Sequence, residues 1–508
     1  MIIIIDCGSQ LTQNIARRVR EMGVYTEIIP FNTDIDLIKN RDPEGIIISG
    51  GQFSVYDSGS PIYAREVLNL GVPVLGICYG QQSIAYLEGG KVSPTKNREY
   101  GETRLKLNGN SMLFKGISSD EFNVWMSHGD IVEILPAGFV SIANTENGHI
   151  SAMENTSRKI YAVQFHPEVD HTENGRLILN NFVDICDAKR TWDPEKEYDK
   201  MVENLREKLK GKVGIGGISG GVDSSTISVL INQIAGSAYH PIFIDNGLLR
   251  LNEAEKVMES LAKFNLGIKF IDASQRFLDK LSGVDDPDEK RKIIGHEFIA
   301  VFEEEARKIP GASYLVQGTL YPDVIESVPV YGSSSKIKRH HNVGGLPEKM
   351  GLEVIEPFRN LFKDEVRKIA EHRLKMPKHI VWRHPFPGPG LAVRINGDVT
   401  PEKLRIVKEA DDIFMSELEN AGLYYQINQA YAALLGGRAV GVMGDAHSYE
   451  YMIGLRAVTT NDFMTADWFD FKKSFLTKVT NRIMNEVKGA GRVYYDTSQK
   501  PPSTIEIQ

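Results

Sequence analysis

Short apolar runs alternate with segments of helical spacing over the first part of the chain. The apolar runs cover residues 2–5, 45–49 and 72–77, and each is followed by Asp, Gly or Cys. Residues 11–22 repeat apolar positions with a helical period and end before Gly23. Strands that alternate with helices predict a parallel sheet covered on both faces, where ligands lie beyond the carboxyl ends of the strands.

The same alternation starts again after a break in composition. Residues 187–212 are rich in charge and contain a proline, which indicates a domain boundary. Beyond it we predict a strand over 213–218, a loop over 219–223, a helix over 224–234 and a strand over 241–245.

The last part of the chain follows a different pattern. Segment 384–390 contains three prolines, which excludes a helix or a central strand there. After it we predict a helix over 401–420 and strands over 438–443, 451–458 and 492–496.

The predicted fold class is therefore α/β. We predict two doubly wound domains with parallel sheets, at 1–188 and 212–384, joined by a linker over 189–211. A small α+β domain at 385–508 completes the chain.

Composition and net charge exclude several classes of protein. The chain has 508 residues, of which 42% are apolar and 25% charged, as in ordinary globular proteins. Its formal net charge of −8 argues against a protein that mainly binds nucleic acid or a membrane surface. No apolar run reaches the ~18 residues of a membrane span, and the first residues lack the pattern of a signal peptide. Three cysteines, an odd number, fit a reducing compartment, so we expect a cytoplasmic enzyme.

A candidate nucleophile, Cys78, lies where an apolar run meets a helical segment. Gly76 and Gly80 flank it, as in the strand–nucleophile–helix elbow of hydrolases, with Cys in place of Ser. A helix N-terminus favours a thiolate, and its N–H groups can bind an oxyanion. The alternative is a small core residue, which is what most lone cysteines are.

A candidate base follows the apolar run 160–163 in the sequence Phe-His-Pro-Glu. Because proline favours an extended residue before it, Glu168 can face the same way as His166 and orient its ring. Cys78, His166 and Glu168 would then be nucleophile, base and orienting group.

Residues 1–188 resemble the class I glutamine amidotransferase domain. The resemblance implies that Cys78 attacks the side-chain amide of L-glutamine, with His166 as acid and base and Glu168 orienting it. It also implies that the oxyanion hole and glutamine pocket include Gly50, Gly51, Tyr79, Gln82, Ser127 and His128.

A candidate phosphate loop follows the predicted strand 213–218 and opens a helix. Its residues are Ser219, Gly220, Gly221, Val222, Asp223, Ser224 and Ser225. Backbone N–H groups at a helix N-terminus favour phosphate. The lysine of a Walker A loop is absent, and the loop aspartate suits a Mg²⁺ ion beside ATP. We infer that pyrophosphate leaves and that the α-phosphate is attacked. The alternative is a glycine-rich turn without a ligand.

This loop matches the ATP-pyrophosphatase motif of adenylating, amide-forming enzymes, whose domain is adenine-nucleotide α-hydrolase-like. In such a fold Asp245, Asn246 and Gly247 would hold the adenosine, although a plain turn at the strand end explains them equally well.

Longer runs make the resemblance more specific. They are similar to runs of the glutamine-hydrolysing GMP synthetase family and cover 290–295, 317–327, 338–345, 383–391 and 498–502. The resemblance implies that xanthosine 5′-monophosphate (XMP) is adenylated on O2 and then aminated to GMP. It implies a homodimer formed through the C-terminal domain, and XMP contacts from Arg291, Gln429, Lys500 and Glu506.

Purely structural explanations of some of these residues, and other classes of protein, remain open at this point. The basic segment 336–341 suits a lid over phosphates or a solvated loop, and Arg291 suits a phosphate contact or an ion pair along its helix. A glutamine-dependent NAD synthetase pairs a similar loop with a different glutaminase. A thiol-transferring tRNA enzyme would need a basic domain and a cysteine near the loop. A non-catalytic metabolite-binding protein would need neither motif.

Overall fold

A computed structural model describes residues 1–326, 351–443, 446–460, 463 and 465–508. They form two compact units, and the chain passes from the first to the second between Asp193 and Pro194. The predicted lid 336–341, the run 338–345 and the last residue of the run 317–327 lie outside the described residues.

The first unit is built on a nine-stranded sheet. Its strands are β1 (Ile2–Asp6), β2 (Thr26–Pro30), β3 (Gly45–Ile48), β4 (Val74–Ile77), β5 (Lys91–Leu107), β6 (Glu121–Ile134), β7 (Val140–Thr145), β8 (Ile150–Asn155) and β9 (Ile160–Val163). They lie in the order β2-β1-β3-β4-β9-β8-β7-β5-β6. Strands β2, β1, β3, β4 and β9 are parallel, and the other four continue the sheet in antiparallel fashion. The sequence predicted the parallel part alone.

Burial explains why the parallel part was predictable. Strands β1, β3, β4 and β9 are buried along their whole length, because central parallel strands are covered on both faces. Their sequences are accordingly continuous apolar runs. The helices of this unit are α1 (Thr12–Glu21), α2 (Ile35–Lys39), α3 (Tyr79–Leu87) and α4 (Gly175–Ile185).

The second unit contains a five-stranded, fully parallel sheet. Its strands are β10 (Val213–Ile218), β11 (Tyr239–Asp245), β12 (Lys269–Asp272), β13 (Ala312–Val316) and β14 (Glu353–Ile355), in the order β12-β11-β10-β13-β14. The chain order of the strands reverses at β10, and doubly wound sheets bind ligands at such a switch point.

Eight helices accompany this sheet in the described residues. They are α5 (Pro194–Leu209), α6 (Val222–Ala235), α7 (Glu253–Ala262), α8 (Ser274–Leu281), α9 (Pro287–Ala306), α10 (Tyr321–Glu326), α11 (Lys363–Lys368) and α12 (Lys378–Val381). Helix α5 occupies most of the predicted linker and buries Tyr198, Leu205 and Leu209.

A second, mixed sheet of this unit comes from the C-terminal part of the chain. It contains β15 (Gln429–Met443), β16 (Ala446–Thr459), β17 (Asp467–Trp468) and β18 (Ala490–Tyr495), with helices α13 (Pro401–Asn420) and α14 (Lys473–Glu486). Strand β18 runs parallel to β16, and the other pairs are antiparallel. The α/β class with parallel sheets and a final α+β part is confirmed, while the domain boundaries stay a prediction. Among the helices described, none has the length and apolar character needed to cross a membrane.

Candidate active sites

The first candidate site is the turn between β4 and α3. Cys78 has φ +55° and ψ −109°, a backbone conformation that L-residues rarely adopt. Its flanking glycines are required by close packing: a Cβ on Gly76 would lie 2.6 Å from the backbone oxygen of Gly80, and one on Gly80 would lie 2.4 Å from that of Ile48. The turn therefore holds the sulfur at the carboxyl end of the sheet, as the motif predicted.

His166 and Glu168 lie together beside this turn. His166 Nδ1 is 2.8 Å from Glu168 Oε1, and both side chains are buried. Burial by itself lowers the pKa of His166, but the Glu168 carboxylate and the Cys78 sulfur outweigh it and raise that pKa well above its ordinary value. The imidazole thus lies between a thiol and a carboxylate, where a group with a raised pKa can hold a proton.

The predicted oxyanion glycines follow β3 and reach the same place. A Cβ on Gly50 would lie 3.5 Å from the Cβ of Cys78 and 3.2 Å from Cε1 of His166. A Cβ on Gly51 would lie 2.5 Å from the backbone oxygen of Cys7 and 3.5 Å from Cγ of Tyr79. Glycine at both positions allows the backbone to approach the nucleophile.

One predicted pocket residue, Ser127, lies beside the sulfur, and another, Gln82, reaches it through Gln164. Cys78 Sγ is 3.7 Å from the backbone oxygen of Ser127 and 3.7 Å from Nε2 of Gln164. Gln82 Nε2 donates to Gln164 Oε1 at 3.3 Å. Sequence reasoning missed Gln164, although it stands only two residues before His166 in the sequence.

His128 belongs to a buried acid–base pair that the sequence did not reveal. His128 Nε2 lies 3.1 Å from Glu99 Oε2, and Asn147 donates to the other oxygen at 2.9 Å. Burial raises the pKa of Glu99, but the hydrogen bonds from His128 and Asn147 outweigh it and lower the pKa to about 2. Glu99 comes from β5 and His128 from β6, so only the antiparallel part of the sheet brings them together.

The second candidate site is the loop between β10 and α6. Gly220 has φ +73°, and Arg383 Nη1 donates to its backbone oxygen at 2.9 Å. Ser224 Oγ accepts from the Ser219 backbone N–H at 3.1 Å and lies 3.2 Å from the Gly221 backbone oxygen. The hydroxyls therefore shape the loop, and the N–H groups of the first helical turn are the donors left for an anion.

Asp223 is the charged residue of this loop. Its Oδ2 lies 3.2 Å from Nζ of Lys363, and its Oδ1 is buried without a hydrogen-bond partner in the part of the chain that the structure describes. A buried carboxylate oxygen without a hydrogen-bond donor is suited to bind a cation. No group of three His, Cys, Asp or Glu side chains among the described residues could hold a metal by itself, so phosphate and water oxygens would supply the other ligands.

Neighbouring strands of the five-stranded sheet bring further groups to the carboxyl end where the loop 219–225 lies. A Cβ on Gly318, after β13, would lie 3.9 Å from the Cβ of Asp223, so this segment faces the loop across the switch point. Gln317 is buried, and its Nε2 has no partner among the described residues. Asp245, the last residue of β11, and Asn246 after it accept backbone N–H groups of the following turn at 2.8 and 2.9 Å, as a plain turn at the strand end would.

Two of the predicted XMP residues meet in the C-terminal part of the second unit. Gln429 Nε2 donates to Glu506 Oε1 at 2.5 Å. The wholly buried Arg394, which the sequence did not single out, holds the same carboxylate with bonds of 3.0 and 2.8 Å. Lys500 Nζ donates to the backbone oxygen of Phe463 at 2.6 Å.

Arg291 does not take part in that cluster. It lies exposed on α9, and its Nη1 is 3.1 Å from Asp288 Oδ1 one helical turn away. This contact is the ion pair along the helix that the sequence offered as the alternative to a phosphate contact.

Comparison with known proteins decides the family. The model of class I glutamine amidotransferases matches residues 3–186, and that of the GMP synthase C-terminal domain matches residues 416–507. The GMP synthase (glutamine-hydrolysing) of Brachyspira hyodysenteriae is 52% identical over 99% of this chain and 98% of its own length. The corresponding protein of Fusobacterium nucleatum is 52% identical over 99% of each chain.

The chain belongs to the glutamine-hydrolysing GMP synthase family. The family predicted from the motifs is confirmed. The prediction that the chain is an enzyme of glutamine-dependent GMP synthesis is confirmed as well. Within this GMP synthase family member, the amidotransferase match covers the unit that holds Cys78. The match to the C-terminal domain covers Gln429 and Glu506.

Proposed function

We propose that the chain converts XMP, ATP and glutamine into GMP, AMP, pyrophosphate and glutamate, using the residues described above. The main support for glutamine hydrolysis is the contact of His166 with both Cys78 and the Glu168 carboxylate. A buried imidazole with a raised pKa beside a thiol is what a cysteine nucleophile needs.

Ammonia production begins with attack of the Cys78 sulfur on the side-chain amide carbon of glutamine. His166 gives its proton to the departing nitrogen, so ammonia leaves and a thioester forms. Water then attacks the thioester, with His166 as base, and releases glutamate. Backbone N–H groups near Gly50, Gly51 and Tyr79 would stabilise the oxyanion, and Gln82, Ser127 and His128 would bind the substrate.

Adenylation takes place at the loop 219–225. The XMP O2 attacks the α-phosphorus of ATP, and pyrophosphate departs, held by the N-terminus of α6. Ammonia then attacks C2 of the purine, and AMP leaves with the oxygen. Asp223 would hold Mg²⁺, which would neutralise phosphate charge, and Lys363 lies close enough to share that task.

The substrate XMP would bind at the C-terminal part of the second unit. The Glu506 carboxylate accepts hydrogen bonds from both Arg394 and Gln429, which supports a preformed contact surface. Arg291 and Lys500 would complete it after leaving their present partners. We also propose a homodimer, a cytoplasmic location that keeps Cys78 reduced, and no nucleic-acid or membrane partner, in line with the net charge of −8.

A comparison of nitrogen sources tests this function. The parent protein receives XMP, ATP and Mg²⁺ with either glutamine or ammonium, and GMP is measured. We expect GMP from both sources in the parent, and only from ammonium in Cys78→Ala. Cys186→Ala is the control, because Cys186 is also buried but lies at the end of α4. GMP from neither source in the parent, or loss of both in Cys78→Ala alone, would contradict the proposal.

A further inference from the structure

A chain of hydrogen-bonded side chains runs through the first unit and ends at the nucleophile. Gln164 Nε2 lies 3.7 Å from Cys78 Sγ, and Gln164 Oε1 lies 3.3 Å from Nε2 of Gln82. Gln82 Nε2 also lies 2.9 Å from the backbone oxygen of Asp130. Gln164 is 1% exposed and Gln82 is 4% exposed, so water hardly competes for these bonds.

The direction of the donors in this chain is fixed by its far end. The Asp130 carbonyl can only accept, so the Gln82 amide must present its NH₂ group there. The second hydrogen of that NH₂ group meets Gln164, which must therefore present its oxygen to Gln82. The NH₂ group of Gln164 is then left facing the sulfur. The orientation of both amides follows from one peptide carbonyl.

His128 anchors the same carbonyl. Its Nδ1 lies 3.0 Å from the Asp130 oxygen, and its Nε2 lies 3.1 Å from the Glu99 carboxylate. Asn147 donates to the same carboxylate, so Glu99 is held from two sides. The chain thus starts at a buried histidine–carboxylate contact, whose imidazole keeps the Asp130 oxygen in place.

We propose that Gln164 is a further catalytic residue of the glutaminase reaction, whose amide N–H donates to the Cys78 sulfur and favours its anionic form. This proposal rests on the proposed role of Cys78 as nucleophile. A hydrogen bond to a charged acceptor stabilises the charge, and here the donor cannot turn away because Gln82 holds its oxygen. The same bond fixes the sulfur beside the Ser127 carbonyl, so the nucleophile is oriented as well as activated.

The test compares two buried glutamines in the full-length protein. Gln164→Met keeps the length of the side chain and removes its N–H donor. Gln81→Met is the matched control, because Gln81 is 0% exposed and its Nε2 donates to the Ile150 backbone oxygen at 3.3 Å, apart from the chain to Cys78. Alkylation of Cys78 by iodoacetamide, whose carboxamide resembles that of glutamine, is followed by peptide mass across a pH series.

We expect Gln164→Met to slow the alkylation of Cys78 about 10-fold near neutral pH and to move its pH profile upward, since the hydrogen bond that stabilises the charged sulfur is lost. The kcat for glutamine-dependent GMP synthesis falls similarly with little change in KM, and ammonium-dependent synthesis is unchanged. Gln81→Met keeps the parent profile.

Two results would overturn the role of Gln164. One is an alkylation profile of Gln164→Met equal to that of the parent. The other is an equal slowing in Gln81→Met, which would make the effect one of general packing. A parent that reacts at Cys78 but makes no GMP from either nitrogen source would instead contradict the proposed function, and the alkylation comparison would still decide the role of Gln164.

Discussion

Nζ of Lys363 lies 3.2 Å from Oδ2 of Asp223, so a lysine from α11 neutralises the carboxylate of the phosphate loop. The loop itself lacks the lysine of a Walker A motif. The fold thus brings a cation to the loop from a helix far along the chain. An ammonium group in this position can bind phosphate oxygens, in addition to the N–H groups of α6.

Replacing Lys363 tests whether this cation serves adenylation. We expect Lys363→Met to lower GMP synthesis about 10- to 100-fold with ammonium as well as with glutamine, because charge stabilisation at a reacting phosphate is lost. Lys368→Met, at the exposed end of the same helix, is the control and should keep the parent rate. The rate of pyrophosphate release measures both. A normal rate in Lys363→Met would show that its contact with Asp223 is structural only.

The pH dependence of the glutaminase tests the contact of Glu168 with His166. Glu168 raises the pKa of His166, so the imidazolium persists to higher pH in the parent. In Glu168→Gln that pKa falls, and the alkaline limb of glutamine-dependent synthesis should move to lower pH, with a maximal rate about 10- to 100-fold lower. Ammonium-dependent synthesis should be unaffected. An unmoved alkaline limb would mean that Glu168 does not control the charge of His166.

The close packing of the nucleophile turn has a consequence for stability. A Cβ on Gly80 would lie 2.4 Å from the backbone oxygen of Ile48, so Gly80→Ala must displace α3 or β3. We expect a loss of roughly 1–3 kcal/mol in the free energy of unfolding of the first unit, together with loss of glutamine-dependent synthesis.

The control for this change is a glycine with room around it. Gly295 lies in α9, and among the described residues no atom outside its chain neighbours and its own helix backbone lies within 4 Å of a built Cβ. Gly295→Ala should therefore be neutral or stabilise by up to ~1 kcal/mol. Urea unfolding of both variants measures the difference. A Gly80→Ala variant as stable as Gly295→Ala would contradict the packing account.

Local sequence patterns predicted the two candidate sites because each lies where a buried strand meets a helix. The apolar run ending at Cys78 and the loop ending at Asp223 carry their chemistry within a few residues. The remaining groups come from distant segments. Glu99 reaches His128 only through the antiparallel strands β5 and β6, whose long, partly exposed sequences have no continuous apolar run.

Arg394, which binds Glu506, was missed for the same reason. Arg394 and Glu506 meet because the chain end returns to the 3₁₀ turn after the proline-rich segment, and no spacing rule links the two. For Arg291, the basic cluster suggested a phosphate contact, but the helix places Asp288 three residues before it. The ion pair within one turn follows from this spacing, and the phosphate contact of Arg291 stays a prediction.

The central claim is that XMP is activated by adenylation on O2 before ammonia displaces AMP. Its most direct measurement uses XMP labelled with heavy oxygen at that position, together with ATP, Mg²⁺ and glutamine, and follows the label by mass spectrometry. The account predicts that each GMP formed is accompanied by one AMP whose phosphate carries the label, with unlabelled pyrophosphate. Formation of ADP with label in inorganic phosphate would contradict it.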